Sequence, residues 1–97
     1  MTKLYITLQQ EKQRILAIAE RYHAHNLRVF GSVVRGEERE DSDIDLLVEF
    51  SPGATLLDQV GLMEALSDEL GRKVDVVSER ALNRYLRQSV LQEARPL

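Results

Sequence analysis

Between Leu8 and Tyr22 the apolar residues Leu8, Ile15, Ile18, Ala19 and Tyr22 recur at spacings of three, four and seven, with polar residues between them. This spacing predicts an amphipathic helix over residues 7–25, with Thr7 and Gln10 forming a capping box at its start. Residues 27–30 (LRVF) alternate as a short strand and stop at Gly31. The following VVRGEE reads as a turn or the opening of a short helix, in which Gly36 is unfavourable. Residues 44–50 (IDLLVEF) are dense enough in apolar side chains for a central strand, closed by Ser51, Pro52 and Gly53. A stripe of Leu56, Val60, Met63, Leu66 and Leu70 predicts a helix over residues 55–70, stopped by Gly71. Residues 73–77 (KVDVV) form a third strand with Asp75 at its middle. Residues 78–94 return to helical spacing through Leu82, Tyr85, Leu86 and Val90.

The order α-β-(α)-β-α-β-α predicts an α/β (α+β) domain, a small mixed sheet of three or more strands with helices packed on it. Three strands are legible directly, and residues 95–97 read as a loose tail. With 97 residues the chain suits one domain, residues 1–97, and the balance of 43% hydrophobic to 30% charged residues fits a folded core rather than disorder. No apolar run approaches the roughly 18 residues of a membrane span, and the N-terminus lacks the pattern of a secretory signal, so a cytoplasmic, non-membrane protein is expected. Without cysteine there is no disulfide or thiolate zinc site, and His23 and His25 lack a third ligand in any motif. Both read as residues closing the first helix, outside any site. A bound metal would therefore take oxygen ligands. The net charge of −3 gives no broad basic footprint, so direct binding of duplex nucleic acid is not expected.

The chemistry concentrates in GSVVRGEEREDSDID, residues 31–45. On a strand Asp43 and Asp45 point to one face, about 6.6 to 6.8 Å apart. At an effective dielectric near 20 their repulsion is roughly 2.5 kcal/mol, a large fraction of a small domain's stability. A divalent cation reverses its sign, and oxygen donors at this spacing suit Mg²⁺ shared with substrate phosphates. Asp75 adds a third carboxylate if its strand lies beside theirs. Gly31 and Ser32 sit between a strand and a short helix, where glycine permits close backbone approach and free N–H groups attract an anion. Arg35, three residues on, shares the side of Ser32. Each feature alone has a plainer explanation: solvated acids at a strand end, a serine helix cap, an arginine paired with Glu37 or Glu38. The acidic run 37–41 reads as a solvated loop more readily than as a docking surface for a basic partner. It is the combination of anion cradle and cation site that points to phosphate chemistry.

Strand-Gly-Ser, ten intervening residues, Asp-x-Asp on a second strand and a lone Asp on a third resembles the DNA polymerase beta-like nucleotidyltransferase superfamily. Gly31, Ser32, Asp43, Asp45 and Asp75 stand at those places. The short chain and the wording GSVVRGEEREDSDIDLLVEF are similar to its minimal nucleotidyltransferase (MNT) branch, antitoxins to HEPN-domain toxins, and the resemblance covers residues 27–95. Val33-Val34 stands where relatives often carry an aromatic and a small residue, a departure bearing on nucleotide preference. The resemblance implies two Mg²⁺ ions held by Asp43, Asp45 and Asp75, ATP gripped by Gly31 and Ser32 with Arg35 as helper, and Asp75 as receiver of a hydroxyl proton. It also implies transfer of AMP to a hydroxyl, tyrosine foremost, on a HEPN toxin partner. The competing expectation is a non-catalytic antitoxin that occludes its toxin through Leu56, Leu57 or the C-terminal helix.

Overall fold

The structure, a computed structural model, describes residues 3–97. It opens with helices α1 (Lys3–Gln10) and α2 (Lys12–Arg21), separated by a break at Glu11. Tyr5 and Leu8 already face the core, so helix begins before Thr7. The predicted capping box at Thr7 and Gln10 is not formed. The Thr7 hydroxyl instead donates to the carbonyl of Lys3 at 3.1 Å, as a mid-helix threonine does. The helix also ends earlier than its pattern suggested, because His23 takes a left-handed φ of 62°. Strand β1 (Ala24–Phe30) consequently starts before Leu27, and His25 lies on it rather than at a helix end. An irregularity between His25 and Arg28, with Asn26 at φ 50°, hides this extension from a period-two reading. Asn26 Nδ2 fixes the irregularity by donating to Glu49 Oε1 at 2.7 Å.

After the single turn α3 (Ser32–Arg35) and an irregular excursion, strand β2 (Ile44–Phe50) runs antiparallel to β1. Helix α4 (Leu56–Leu70) then returns the chain to β3 (Val74–Ser78), which pairs in parallel with β2. A capping box does start α4: Thr55 N–H donates to Asp58 Oδ2 at 2.8 Å and Asp58 N–H to Thr55 Oγ1 at 3.4 Å. The predicted stripe on α4 is only half right. Leu62 and Leu66 are fully buried and Met63 and Leu70 pack against the core, but Leu56 and Val60 are 74% and 42% exposed. The first turn of α4 overhangs the sheet. Gly61 lets the helix approach α2, since a Cβ there would meet the ring of Tyr22.

The last predicted helix is shorter than expected. Ser78 completes β3, Glu79–Ala81 forms a 3₁₀ turn, and Asn83 Oδ1 caps helix α5 (Arg84–Glu93) by accepting from Tyr85 N–H at 2.8 Å. None of the side chains of α5 is buried. The tail is not loose: Arg95–Pro96 forms a fourth strand, β4, on the free edge of β1. Leu97 N–H donates to Leu27 O at 3.2 Å and the Tyr5 hydroxyl to Pro96 O at 2.9 Å. Proline is tolerated because the strand lies at an edge. The mixed sheet thus has the order β3-β2-β1-β4. Ile44, Leu46, Val48, Val74 and Val76 on one face join Leu8, Ile15, Ile18, Leu62 and Leu66 in the core. Among the described residues no helix is long and apolar enough to cross a membrane.

Candidate active site

The opposite face carries the acids. Backbone alternation turns Asp45 and Leu47 away from the core side of β2, and parallel register sets Asp75 directly beside Asp45. The sequence therefore placed Asp75 correctly on a strand, and the pairing of β2 with β3 brings it to the pair. Leu47 is fully buried yet lies outside the main core cluster, so the acids stand beside an apolar patch. Asp43 precedes β2, and its Oδ2 lies 3.6 Å from the Lys73 ammonium. The Asp45 carboxyl is raised above its ordinary value, first by burial and then by repulsion from Asp75 and Asp43. Asp75 and Asp43 both act on Asp45, but among the described residues no three His, Cys, Asp or Glu side chains are grouped closely enough to hold a metal ion. The chemistry of the donors fits Mg²⁺: oxygen only and anionic, with Asp45 disfavoured in its ionised form.

Gly31 joins β1 to α3 with φ 80° and ψ −152°, and a Cβ there would collide with Asp45 Oδ2 and stand 3.2 Å from Asp45 Cγ. The turn backbone and the carboxylate are thus packed together, which only glycine allows. Gly31 is also the cap of α3, so Ser32 is its first residue rather than a capping serine. Val34 and Arg35 N–H groups donate to Gly31 O, both at 3.1 Å. Beyond Gly36 the acidic excursion is pinned by Arg72, whose Nη1 donates to the carbonyls of Arg39 and Ser42 at 3.2 Å each. Its side chains from Glu38 to Asp41 remain exposed or nearly so, as expected of a solvated loop.

Arg35 is not a free cation. It pairs with Glu37 at 3.0 Å, as the plainer reading had it, and with Glu93 at 2.7 Å. Hydrogen bonding to Glu93 and then to Glu37 raises its guanidinium further above its ordinary value. Glu93 was not found from the sequence. Its second oxygen accepts from Gly31 N–H at 2.8 Å, a contact across 62 positions that leaves no trace in local spacing. His25 lies away from the acids, 3.4 Å from Glu49.

The acids line an open sheet face rather than a cavity. A cavity of about 610 Å³, lined by Phe50, Pro52, Thr55, Leu56, Arg80 and Arg87 among others, lies at the opposite ends of β2 and β3.

Comparison with known proteins agrees with this geometry. The family described as "Polymerase beta, Nucleotidyltransferase" matches residues 13–97. Protein adenylyltransferase MntA of Thermococcus cleftensis is 42% identical over 76 residues, covering 78% of this chain and 77% of its own. A solved structure provisionally described as a minimal nucleotidyltransferase is 54% identical, with a TM-score of 0.84 over 94% of this chain and 93% of that one. The fold alone is shared with the MNT antitoxin in a complex with a tri-AMPylated HEPN toxin of Shewanella oneidensis, at 21% identity and a TM-score of 0.69 over 91% of this chain and 69% of that one. A glycine turn packed on one of two strand-paired aspartates, within a match that runs from residue 13 to the last residue, makes this chain a member of the polymerase beta nucleotidyltransferase family.

Proposed function

We propose that this enzyme is a Mg²⁺-dependent protein adenylyltransferase of the antitoxin kind, acting in the cytoplasm as a single minimal domain on a HEPN toxin. The observation that carries the reading is the register of Asp45 with Asp75 beside the Gly31 turn. Names of relatives support the class of reaction, and the toxin complexes among structures of the same fold support the partner. Asp43 and Asp45, with Asp75, would hold the ions, which supply charge neutralisation at the phosphates and acidify the attacking hydroxyl. ATP lies along the open face with its outer phosphates toward Gly31 and Ser32. Asp75, the carboxylate farther from the turn, receives the proton as the acceptor oxygen, a tyrosine hydroxyl of the toxin, bonds to the α-phosphorus. The bond from that phosphorus to the β-phosphate oxygen breaks and pyrophosphate leaves.

The test is Asp75→Asn co-expressed with the HEPN toxin it is proposed to modify. It is expected to bind Mg²⁺-ATP nearly normally and to transfer little AMP, because its interaction is made mainly in the transition state. Mass spectrometry of the toxin reads the added AMP, and cell survival reads neutralisation. Full protection with no AMP on the toxin selects the second reading, occlusion. That reading is favoured by one observation: Leu57, Leu56, Tyr85 and Leu86 are 82%, 74%, 78% and 57% exposed.

A further inference from the structure

We propose that Glu93 is a positioning residue of the nucleotide site, holding the Gly31 turn against Asp45 from the C-terminal end of α5. The inference rests on the nucleotidyl-transfer reading above. One carboxylate grips two groups of the site at once: Oε2 accepts from Gly31 N–H at 2.8 Å and Oε1 from Arg35 Nη1 at 2.7 Å. Gly31 has no side chain, and its carbonyl is already taken by the N–H groups of Val34 and Arg35. Its N–H is the remaining handle by which the turn can be fixed. On the other side the turn has no Cβ and lies directly on the Asp45 carboxylate. Gly31 is therefore held between two acids, one on β2 and one at the end of α5.

Glu93 is itself well anchored. Its side chain is 23% exposed, and the residues after it are clamped by β4 pairing, by Leu97 in the core and by the Tyr5 hydroxyl on Pro96. Helix α5 buries no side chain, so Glu93 does not serve the core. At its other end α5 is tied through Arg87, which donates to the carbonyl of Glu79 at 3.0 Å. A fourth carboxylate beside three others also adds repulsion at Asp45. A carboxylate that contributes nothing to the core yet bridges Gly31 N–H and Arg35 is explained by geometry: it fixes where the phosphate-binding backbone stands relative to the acids proposed to hold the ions.

The experiment uses the full chain and two readouts. Calorimetry measures binding of a non-hydrolysable ATP analogue with Mg²⁺, and initial rates of AMP incorporation into the partner toxin give kcat and KM. Glu93→Ala is expected to weaken analogue binding and lower kcat/KM by about tenfold or more, the effect of a displaced binding group. Glu93→Gln keeps an oxygen for Gly31 N–H and is expected to recover to within about threefold of the wild type, since the hydrogen bond rather than the charge fixes the turn. Should Glu93→Ala fold poorly, Glu93→Asp keeps the charge but is one methylene short, and is expected to show the loss with an unchanged melting midpoint. Wild-type binding in Glu93→Ala overturns the proposal. So does tighter binding in both Ala and Gln variants, which would make the carboxylate a competitor of the phosphates. Equal losses in Ala and Gln that track lowered melting midpoints also overturn it, as a structural role. A wild-type chain that binds the analogue but transfers no AMP sinks the parent reading instead, while the binding arm still decides the role of Glu93.

Discussion

The two faces of β2 are built from alternate residues of the same seven and behave as different materials. Ile44, Leu46 and Val48 are at most 1% exposed and lock the strand to α2 and α4. Asp45 and Glu49, one residue out of phase, are half-buried acids that flank the fully buried Leu47 on the other face. The first face lowers the free energy of the fold. On the second, Asp45 raises it, being partly desolvated and repelled by Asp75 and Asp43. The difference teaches that the core face supplies the stability which lets the other hold carboxylates together.

The largest break in this comparison is Asp45→Asn. Transfer of AMP is expected to fall about a thousandfold, roughly 4 kcal/mol of lost transition-state stabilisation, by the same mass-spectrometric readout. The metal-free melting midpoint is expected not to fall, since a repulsive charge is removed. On the other face the signs exchange. Leu66→Ala, at a fully buried position, is expected to lose about 2 to 5 kcal/mol in urea unfolding. Whatever folded protein remains should bind Mg²⁺-ATP as the wild type does.

Ligand sharpens the contrast further. Mg²⁺-ATP at about a hundred times its Kd should stabilise the fold by roughly 2.7 kcal/mol, measured as a shift in melting midpoint against EDTA. Asp43→Asn should lose most of that shift without melting lower on its own. The smallest effect is on pH. The folded-state pKa of Asp45 lies above its ordinary 3.8, so the ionised form is disfavoured by folding. The penalty is fully present above the raised value and is relieved as pH falls through it toward 3.8. The metal-free protein is therefore expected to gain midpoint as pH falls through that raised value. Asp45→Asn, or saturating Mg²⁺, should remove that gain. Glu49 works in the opposite sense, because the hydrogen bond from Asn26 lowers its pKa below 4.5, and stability is lost as that group protonates.

Much of the acidic face was legible because it is locally encoded. The place of Asp45 follows from the two-residue period of β2, which Asp43 precedes, and Gly31-Ser32 from the turn that ends β1. The core stripe of α4 was less legible: helical periodicity places Leu56 and Leu66 on related faces but carries no information on where the sheet beneath them ends. The two-residue strand β4 is too short to show any period, and its Pro96 argues against a strand. It exists because β1 has an unpaired edge within reach of the C-terminal tail.

By itself the sequence determined the alternation of helix and strand as far as α5, the strand that carries Asp45, and the turn at Gly31-Ser32. These depend on interactions within a few residues, and the backbone periods of helix and strand express them directly. Only the tertiary structure decided that Asp75 stands beside Asp45, that Lys73 draws on Asp43, and that Glu93 grips the turn from 62 residues away. Those contacts come from strand register and chain closure, which are fixed when the apolar faces of the sheet and helices are buried together. No local pattern can state them, because the residues meet only after the core has formed.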